Sequence, residues 1–253
     1  MRNQPLVHLV RYCDSILRVA QVKDYDQACN GLQVENRGTV SRLAAAVDAS
    51  LATVQMAIDT GADLLLVHHG LFWSSRQPWT GKTYQLLRLL LDHDLAVYSA
   101  HLPLDIHPRL GNNARLCALL GLANPQPFFL EKDQYLGLQA RTRLARDELV
   151  NRLSGVLRSP VKLLPGGPTV CRRIGVVTGG AGSRLDQAAR EGIDTFITGE
   201  GPHWTYGRAE ELGLNVLYAG HYATETLGVK ALAAELARKF QLPWTFLDRP
   251  TGL

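Results

Sequence analysis

The chain has 253 residues, a net charge of +4 and 46% hydrophobic residues. This length allows one large α/β domain or two of ordinary size, each with a sizeable core. No run reaches the ~18 apolar residues that a membrane-spanning helix needs, and the polar, charge-broken N-terminus is not typical of a signal peptide. The four widely spaced cysteines predict free thiols in a reducing cytoplasm. Because no run of Lys and Arg exceeds two residues, the charge gives only weak support to nucleic-acid binding.

The chain from about residue 40 to residue 122 alternates apolar runs with helical patterns. Three β-rich runs, at 43–50, 62–70 and 95–103, each end in polar or glycine residues. Two helical patterns lie between them, at 51–61 and 83–94, with apolar residues three and four positions apart. This alternation predicts βαβ units, in which parallel strands are covered by helices.

The same alternation returns between about 172 and 240. Helical patterns at 183–192 and 223–240 follow strand-like runs, and Gly192 and Gly213 stand where a left-handed helix cap is expected. The predicted strands of this block are 174–180, 194–200 and 215–221.

Residues 123–171 separate the two blocks and are richer in Pro, Gly and Arg. They include one amphipathic helix pattern at 146–157, so we interpret the segment as a structured connecting region and not as a flexible linker. We predict an α/β protein of two similar lobes, each with a mostly parallel sheet flanked by helices. The lobes are residues 1–125 and 126–253, and the C-terminal segment is free to pack back on the first lobe.

Polar side chains capable of binding metal follow several predicted strands. In parallel α/β sheets, ligands bind at the carboxyl ends of the strands. A single histidine in a loop is more often structural than a ligand, but the joint placement of these residues favours a site. The candidates are His68, His69, His101, Asp105, Glu200, His221 and Glu225.

The number and type of these groups predict a dinuclear metal centre. Neutral imidazoles and carboxylates suit borderline divalent metals. Six or seven donors exceed what one tetrahedral site uses, so we predict two ions roughly 3.5–4 Å apart with a shared bridge. His221 and Glu225 are four apart, which places both on one face of a helix. The pair His101 and Asp105 has the same spacing, but Pro103 favours a loop there.

Three further features have weaker interpretations. The turn at 176–183, "VVTGGAGS", offers backbone N–H groups that could hold a phosphate, although a tight turn needs no ligand. Asn30 and Gly31 predict an ordinary turn before a short strand. His203 follows "TGEGP" and is a candidate to line a cleft, whereas the remaining histidines are interpreted as structural, with His93 at a helix end.

Taken together, the motifs resemble a known family. "NGLQVE", "VHHG", "HLPLD" with "HP" and "LGNN", "TGGAGS", "FITGE" and "AGHYATE" are similar to the GTP cyclohydrolase I type 2 homologue family, also called the Ngg-interacting-factor-like family. The short bacterial metal-binding form is especially similar, and the resemblance runs from about residue 25 to the C-terminus. It implies two α/β lobes, a dinuclear metal site in the cleft between them, and a ring-shaped homo-hexamer.

The resemblance also implies which residues bind metal and what the protein does. The implied ligands are His68, His69, His101, Asp105, His221 and Glu225. The implied activity is that of a metal-dependent hydrolase acting on a small anionic or nucleotide-like molecule. Glu200 is the predicted catalytic group, with His203 as a second candidate for proton transfer. Such a ligand set accepts Zn, Fe, Mn, Co or Ni.

Two other functions stay open at this stage. The first is a non-catalytic metal-binding scaffold or partner-binding ring, which would have a closed coordination sphere where an enzyme keeps an open position. The second is a nucleic-acid enzyme acting within a ring, which rests on the net charge and on two-metal chemistry.

Overall fold

The structure is a computed structural model that describes residues 3–73 and 78–252. The chain forms two compact units, which we call unit 1 (residues 1–104 and 228–249) and unit 2 (residues 105–227 and 250–253). No helix within the described ranges is both long and apolar enough to cross a membrane.

The helices and strands are numbered in chain order. The first half of the chain contains β1 (Gln4–Pro5), α1 (Leu6–Leu17), β2 (Gly31–Val34), β3 (Thr39–Val40), β4 (Leu43–Asp48), α2 (Leu51–Asp59), β5 (Leu64–His69), α3 (Gly81–Asp92), β6 (Ala96–Ser99), α4 (Leu102–Asp105) and α5 (Asn112–Leu119). The second half contains β7 (Gln126–Glu131), β8 (Gln134–Ala145), α6 (Arg146–Leu157), β9 (Lys162–Pro165), β10 (Val170–Val176), a 3₁₀ turn (Ala181–Arg184), α7 (Leu185–Arg190), β11 (Thr195–Thr198), α8 (Thr205–Leu212), β12 (Asn215–Tyr218), α9 (His221–Phe240) and β13 (Trp244–Phe246).

Unit 1 is built on a five-stranded sheet in the order β13-β4-β5-β6-β2. The first three pairings in that order are parallel, and only β2 runs antiparallel to its neighbour. The strands β4 (LAAAVD) and β5 (LLLVHH) are almost continuously apolar, as expected for a sheet covered on both faces. Their residues pack with Val54, Leu90 and Leu95 into one core. The prediction of a mostly parallel sheet is confirmed for this unit.

Parallel strands bring their carboxyl ends to one edge of the sheet of unit 1. Asp48 at the end of β4 pairs in register with His69 at the end of β5. The next helix, α2, begins directly after this edge, because Ser50 and Thr53 form a reciprocal capping box. The chain therefore leaves the edge at once, and the polar residues at the strand ends stay grouped there.

Unit 2 has a six-stranded sheet in the order β7-β8-β10-β11-β12-β9, and it is mixed. Only β10, β11 and β12 are parallel, so the prediction of a mostly parallel sheet is wrong here. The segment interpreted as a connecting region supplies β7, β8 and β9, which all pair antiparallel. The hairpin of β7 and β8 turns at Lys132 and Asp133, both at positive φ, which suits a two-residue turn between twisted strands.

The predictions for unit 2 that rest on short stretches of sequence agree with the structure, unlike the predicted strand directions. Gly192 and Gly213 have φ of 78° and 63°, which confirms both predicted left-handed helix ends. The helix α6 spans the residues of the predicted amphipathic pattern, and it buries Leu149 and Leu153 in a core with Ile174. These features depend on neighbouring residues alone, and for that reason the sequence predicts them well.

Candidate metal centre

Three histidines of unit 1 form a close cluster. His68 and His69 end β5, and His101 follows β6 directly before α4. Each ring offers a nitrogen within 4.8 Å of a nitrogen of the other two. The ring centroids of His68 and His69 are 4.8 Å apart, and that of His101 lies 4.9 Å from His68. The structure therefore brings together three of the six predicted ligands.

The Nδ1 atom of each of these three imidazoles has an acceptor partner. His68 contacts the backbone oxygen of Ala100, His69 the Oδ1 of Asp48 and His101 the Oδ1 of Asp24, each at 2.8 Å. A carbonyl or carboxylate oxygen only accepts, so each Nδ1 is assigned the ring proton. In the neutral ring, Nε2 then carries the lone pair, which is the form that a metal-binding imidazole takes.

Asp24 is the most strongly fixed of these acceptors. Its second oxygen accepts from the side chain of Asn30 at 2.8 Å and from the backbone of Leu102 at 3.0 Å. Burial by itself raises the pKa of Asp24, but hydrogen bonds from His101 and Asn30 and the attraction of His101 outweigh it and hold that pKa below its usual value. Asp24 is therefore a carboxylate at neutral pH, and it fixes both the orientation and the tautomer of His101.

The glycine of "VHHG" lies against the side chain of Gln33. A Cβ on Gly70 would lie 2.2 Å from Nε2 of Gln33. That carboxamide accepts from the backbone of Leu71 at 2.6 Å and donates to the backbone of Cys29, also at 2.6 Å. Gln33 therefore links β2 to the turn after the two histidines, and a side chain at position 70 would displace this carboxamide.

Two aromatic side chains lie against the histidine cluster. The ring of Trp73 meets His69 and His101 edge-on, with centroid distances of 5.5 and 4.6 Å. Tyr25 lies 5.9 Å from His101. Such rings provide an apolar flat surface beside polar donors, which is typical of small-molecule sites.

In unit 2, His221 and Glu225 lie one turn apart at the start of α9. Nε2 of His221 is 3.2 Å from Oε2 of Glu225, which confirms that the four-residue spacing puts both on one face. Nδ1 of His221 lies 2.7 Å from Oε1 of Glu200. Burial lowers the pKa of His221, but Glu225 and then Glu200 outweigh that effect and raise it to about 9. Without a metal ion, this imidazole is therefore a cation at neutral pH.

Asp105 is the third predicted ligand of unit 2. It is 8% exposed and accepts hydrogen bonds from the side chains of Asn112 at 2.7 Å and Thr178 at 3.4 Å. The expectation of a loop at Pro103 is wrong, because α4 is a helical turn. Proline lies in the first turn, where its missing N–H and fixed φ cost nothing.

The turn "TGGAGS" packs against the His221 and Glu225 pair. A Cβ on Gly179, whose φ is 74°, would lie 2.3 Å from Oε1 of Glu225. The backbone N–H groups of Gly179, Ala181 and Gly182 donate to Thr224, Thr198 and Glu200 respectively. These donors have protein partners and the turn faces a carboxylate, so the alternative that the turn holds a phosphate is not supported.

The remaining histidines lie elsewhere. His203 is exposed in the turn before α8. Nδ1 of His107 accepts from the backbone of Arg109 and Leu110, a structural role. His93 ends α3, which confirms its predicted position at a helix end.

Several residues of the candidate site were missed by reasoning from the sequence. Asp48 lies within the last three residues of the predicted run 43–50, so attention to the ends of strands could have found it. Asp24 and Trp73 carried no such signal. Asp24 lies 77 positions before His101 and outside any predicted strand. Of the six predicted ligands, the residues His68, His69 and His101 belong to unit 1, and Asp105, His221 and Glu225 belong to unit 2.

Comparison with known proteins identifies the family. The model of the Duf34/NIF3 (NGG1p interacting factor 3) family matches residues 6–251. A relative from Deinococcus radiodurans is 40% identical over 97% of this chain and 93% of its own length, and one from Halobacterium salinarum is 42% identical over 96% and 97%. Both are named GTP cyclohydrolase 1 type 2 homolog. The crystal structure of TTHA1606 from Thermus thermophilus has a TM-score of 0.91 at 39% identity and covers 99% of this chain and 100% of its own.

This chain therefore belongs to the Duf34/NIF3 family, and the resemblance inferred from its motifs is confirmed. Its mixed α/β fold, with sheets flanked by helices, is shared with TTHA1606. The chain spans nearly the whole length of both relatives, so the fold described here corresponds to their full chains.

Proposed function

We propose that this protein binds two divalent metal ions through His68, His69, His101, Asp105, His221 and Glu225, in the cleft between lobes that the family resemblance implies. One observation carries the proposal: Nδ1 of each of the four imidazoles lies against an acceptor, so that Nε2 is the nitrogen left to face a metal ion. His221, a cation without metal, would release its Nε2 proton when the ion binds.

The chemistry of the donor set fits divalent metals. Four imidazoles and two carboxylates suit Zn, Fe, Mn, Co or Ni, and they exceed the needs of one tetrahedral ion. The contact of 3.2 Å between His221 and Glu225 supports the fit. Nδ1 of His221 donates its proton to Glu200. The contact between Nε2 and the Glu225 carboxylate therefore needs either a second ring proton or a bound metal ion between them.

We propose that the protein is a hydrolase of a small nucleotide-like molecule. Bound metal ions would supply a water of lowered pKa and polarise the substrate. The name carried by both relatives supports a nucleotide-like substrate. Trp73 and Tyr25 offer rings on which a base can stack.

Glu200 is the proposed group for proton transfer. Its Oε1 is held by His221, and its side chain is 46% exposed, so that its second oxygen can exchange protons with solvent. The same contact orients His221. A Glu200→Gln variant separates the two roles, because loss of turnover with full metal content indicates proton transfer, whereas loss of metal indicates orientation.

The experiment that tests the function is metal analysis followed by an activity screen. The metal content of the purified protein is measured first, and the loaded protein is then tested on nucleotides, pterin precursors and phosphoesters. We expect two ions per chain and turnover of a nucleotide-like compound. His69→Ala should lower both quantities, whereas His93→Ala, at the end of α3, serves as the matched control. Two bound ions without any turnover would instead favour the metal-binding scaffold.

We also propose the homo-hexamer that the resemblance implies. Family membership supports it, and light scattering on the purified protein measures the number of subunits directly.

A further inference from the structure

The sheet of unit 2 carries a cavity of about 470 Å³ that involves none of the proposed metal ligands. Five polar residues are among those that line it: Arg141, Arg173, Asn124, Gln126 and Gln139. Arg173 lies in the first half of β10, whereas Thr178, which contacts Asp105, follows the carboxyl end of that strand.

The two arginines face each other across neighbouring strands. Arg173 of β10 pairs in register with Arg141 of β8, and Gln126 of β7 pairs with Gln139 of β8. Directly paired residues project to the same face of a sheet, and residues two apart along a strand do so as well. Arg141 and Arg173 therefore share one face of the sheet with Gln126 and Gln139. Like charges in directly opposed positions repel each other, and no residue lining the cavity is acidic.

The guanidinium of Arg173 is fixed against Gln139 and against the backbone of Glu191 and Gly192. Its Nη2 donates to Oε1 of Gln139 at 2.9 Å and to the backbone oxygen of Glu191 at 3.0 Å. Its Nε is buried and has no hydrogen-bond partner in the described part of the chain. A buried donor of this kind is rare in folded proteins, because its hydration is lost without replacement.

Two acidic residues, Asp194 and Glu191, contact Arg173, but their carboxylates accept hydrogen bonds from donors other than its guanidinium. Asp194 accepts from the backbone N–H groups of Arg172 and Arg173. Glu191 accepts from the backbone of Phe129 and the side chain of Gln187. Neither of these acidic residues is among those that line the cavity, so an anion from solution can balance the two arginines there.

We propose that this cavity binds the phosphate group of a small phosphorylated molecule. Guanidinium groups match tetrahedral oxyanions through paired N–H donors, and such bonds are stronger than those between neutral groups. An oxyanion between Arg141 and Arg173 relieves their repulsion, and the carboxamides serve the rest of the ligand. The volume lies within the range of roughly 300–1,000 Å³ found for small-molecule sites. This inference does not depend on the proposed metal centre.

Calorimetric titration of the purified protein tests the proposal with ribose 5-phosphate, inorganic phosphate and ribose. Binding of ribose 5-phosphate with no binding of ribose is the expected result. Tighter binding of ribose 5-phosphate than of inorganic phosphate indicates a phosphate ester, and equal affinities indicate free phosphate. Both results support an oxyanion site.

Three variants locate the site. Arg141→Gln should weaken binding at least tenfold, and since Arg141 is exposed, its replacement leaves the fold intact. Arg173→Lys keeps the charge but removes the planar guanidinium that Gln139 orients, and it should also weaken binding. Arg143→Gln, two residues further along β8 and outside the cavity, removes the same charge and should change binding less than twofold. Three results would overturn the proposal. They are no binding of ribose 5-phosphate, an equal loss of affinity in Arg141→Gln and Arg143→Gln, or a loss of affinity in His69→Ala alone.

Discussion

Oδ1 of Asp24 lies 2.8 Å from Nδ1 of His101, although the two residues are 77 positions apart in the chain. The carboxylate fixes the ring of His101 on the side opposite to Nε2. Partners of this kind commonly contribute about 10–100-fold to metal affinity. We therefore predict that metal affinity depends on Asp24, although Asp24 is not one of the proposed metal ligands.

Asp24→Asn should weaken metal binding by about 10–100-fold, because the amide cannot accept strongly from His101 and loses its charge. Competition with a chelator of known affinity measures the change. Asp26→Asn is the matched control, since Asp26 is exposed two residues away. Equal affinities of the two variants would contradict the positioning role of Asp24.

Gly179→Ala should destabilise the protein by about 1–3 kcal/mol, because alanine is strained at positive φ, and it should also reduce metal content. The added Cβ would lie 2.3 Å from Oε1 of Glu225 and would displace that carboxylate. Urea denaturation and metal analysis record the two effects. Gly207→Ala is the control: it lies in α8 with no atom within 4 Å of the added Cβ, so we expect no loss of stability. Normal metal content in Gly179→Ala would show that Glu225 can move without consequence.

In the metal-free protein, His221 should titrate near pH 9, above its ordinary value of 6.5. The raised pKa means that the charged ring stabilises the fold fully below about pH 6.5, and that this contribution disappears as the pH rises through 9. NMR of the imidazole nitrogens measures the titration. Glu225→Gln should lower the pKa, because it removes the carboxylate that raises this pKa most. A value near 6.5 in the unsubstituted protein would contradict this prediction, because it would show that Glu225 and Glu200 only offset the effect of burial.

Removal of metal should lower the melting temperature, because an ion that binds only the folded chain stabilises it. A free metal concentration 100 times the Kd corresponds to about 2.7 kcal/mol. Differential scanning calorimetry with and without chelator records the difference. His69→Ala should abolish most of it, while His93→Ala should retain it. If both variants keep the full difference, the metal binds elsewhere.

Part of this structure follows from short stretches of sequence. The apolar runs of β4 and β5, the helix α6 and the left-handed ends at Gly192 and Gly213 each depend on a few neighbouring residues. His68, His69 and His221 could be identified as candidate ligands because each lies at the end of a recognisable strand-like run. The motifs around them were specific enough to identify the family.

Only the tertiary structure determines the features that depend on contacts between segments far apart in the chain. The directions of β7, β8 and β9 are set by which strands they join, and their mixed polar and apolar residues carry no signal of direction. Asp24 meets His101, and Glu200 meets His221, only after the chain folds. The two histidines of "VHHG" were therefore visible in the sequence, but the acceptors that fix their tautomers were not. Hydrogen bonds between side chains depend on separation in space, and the chain sets that separation only when its strands have paired.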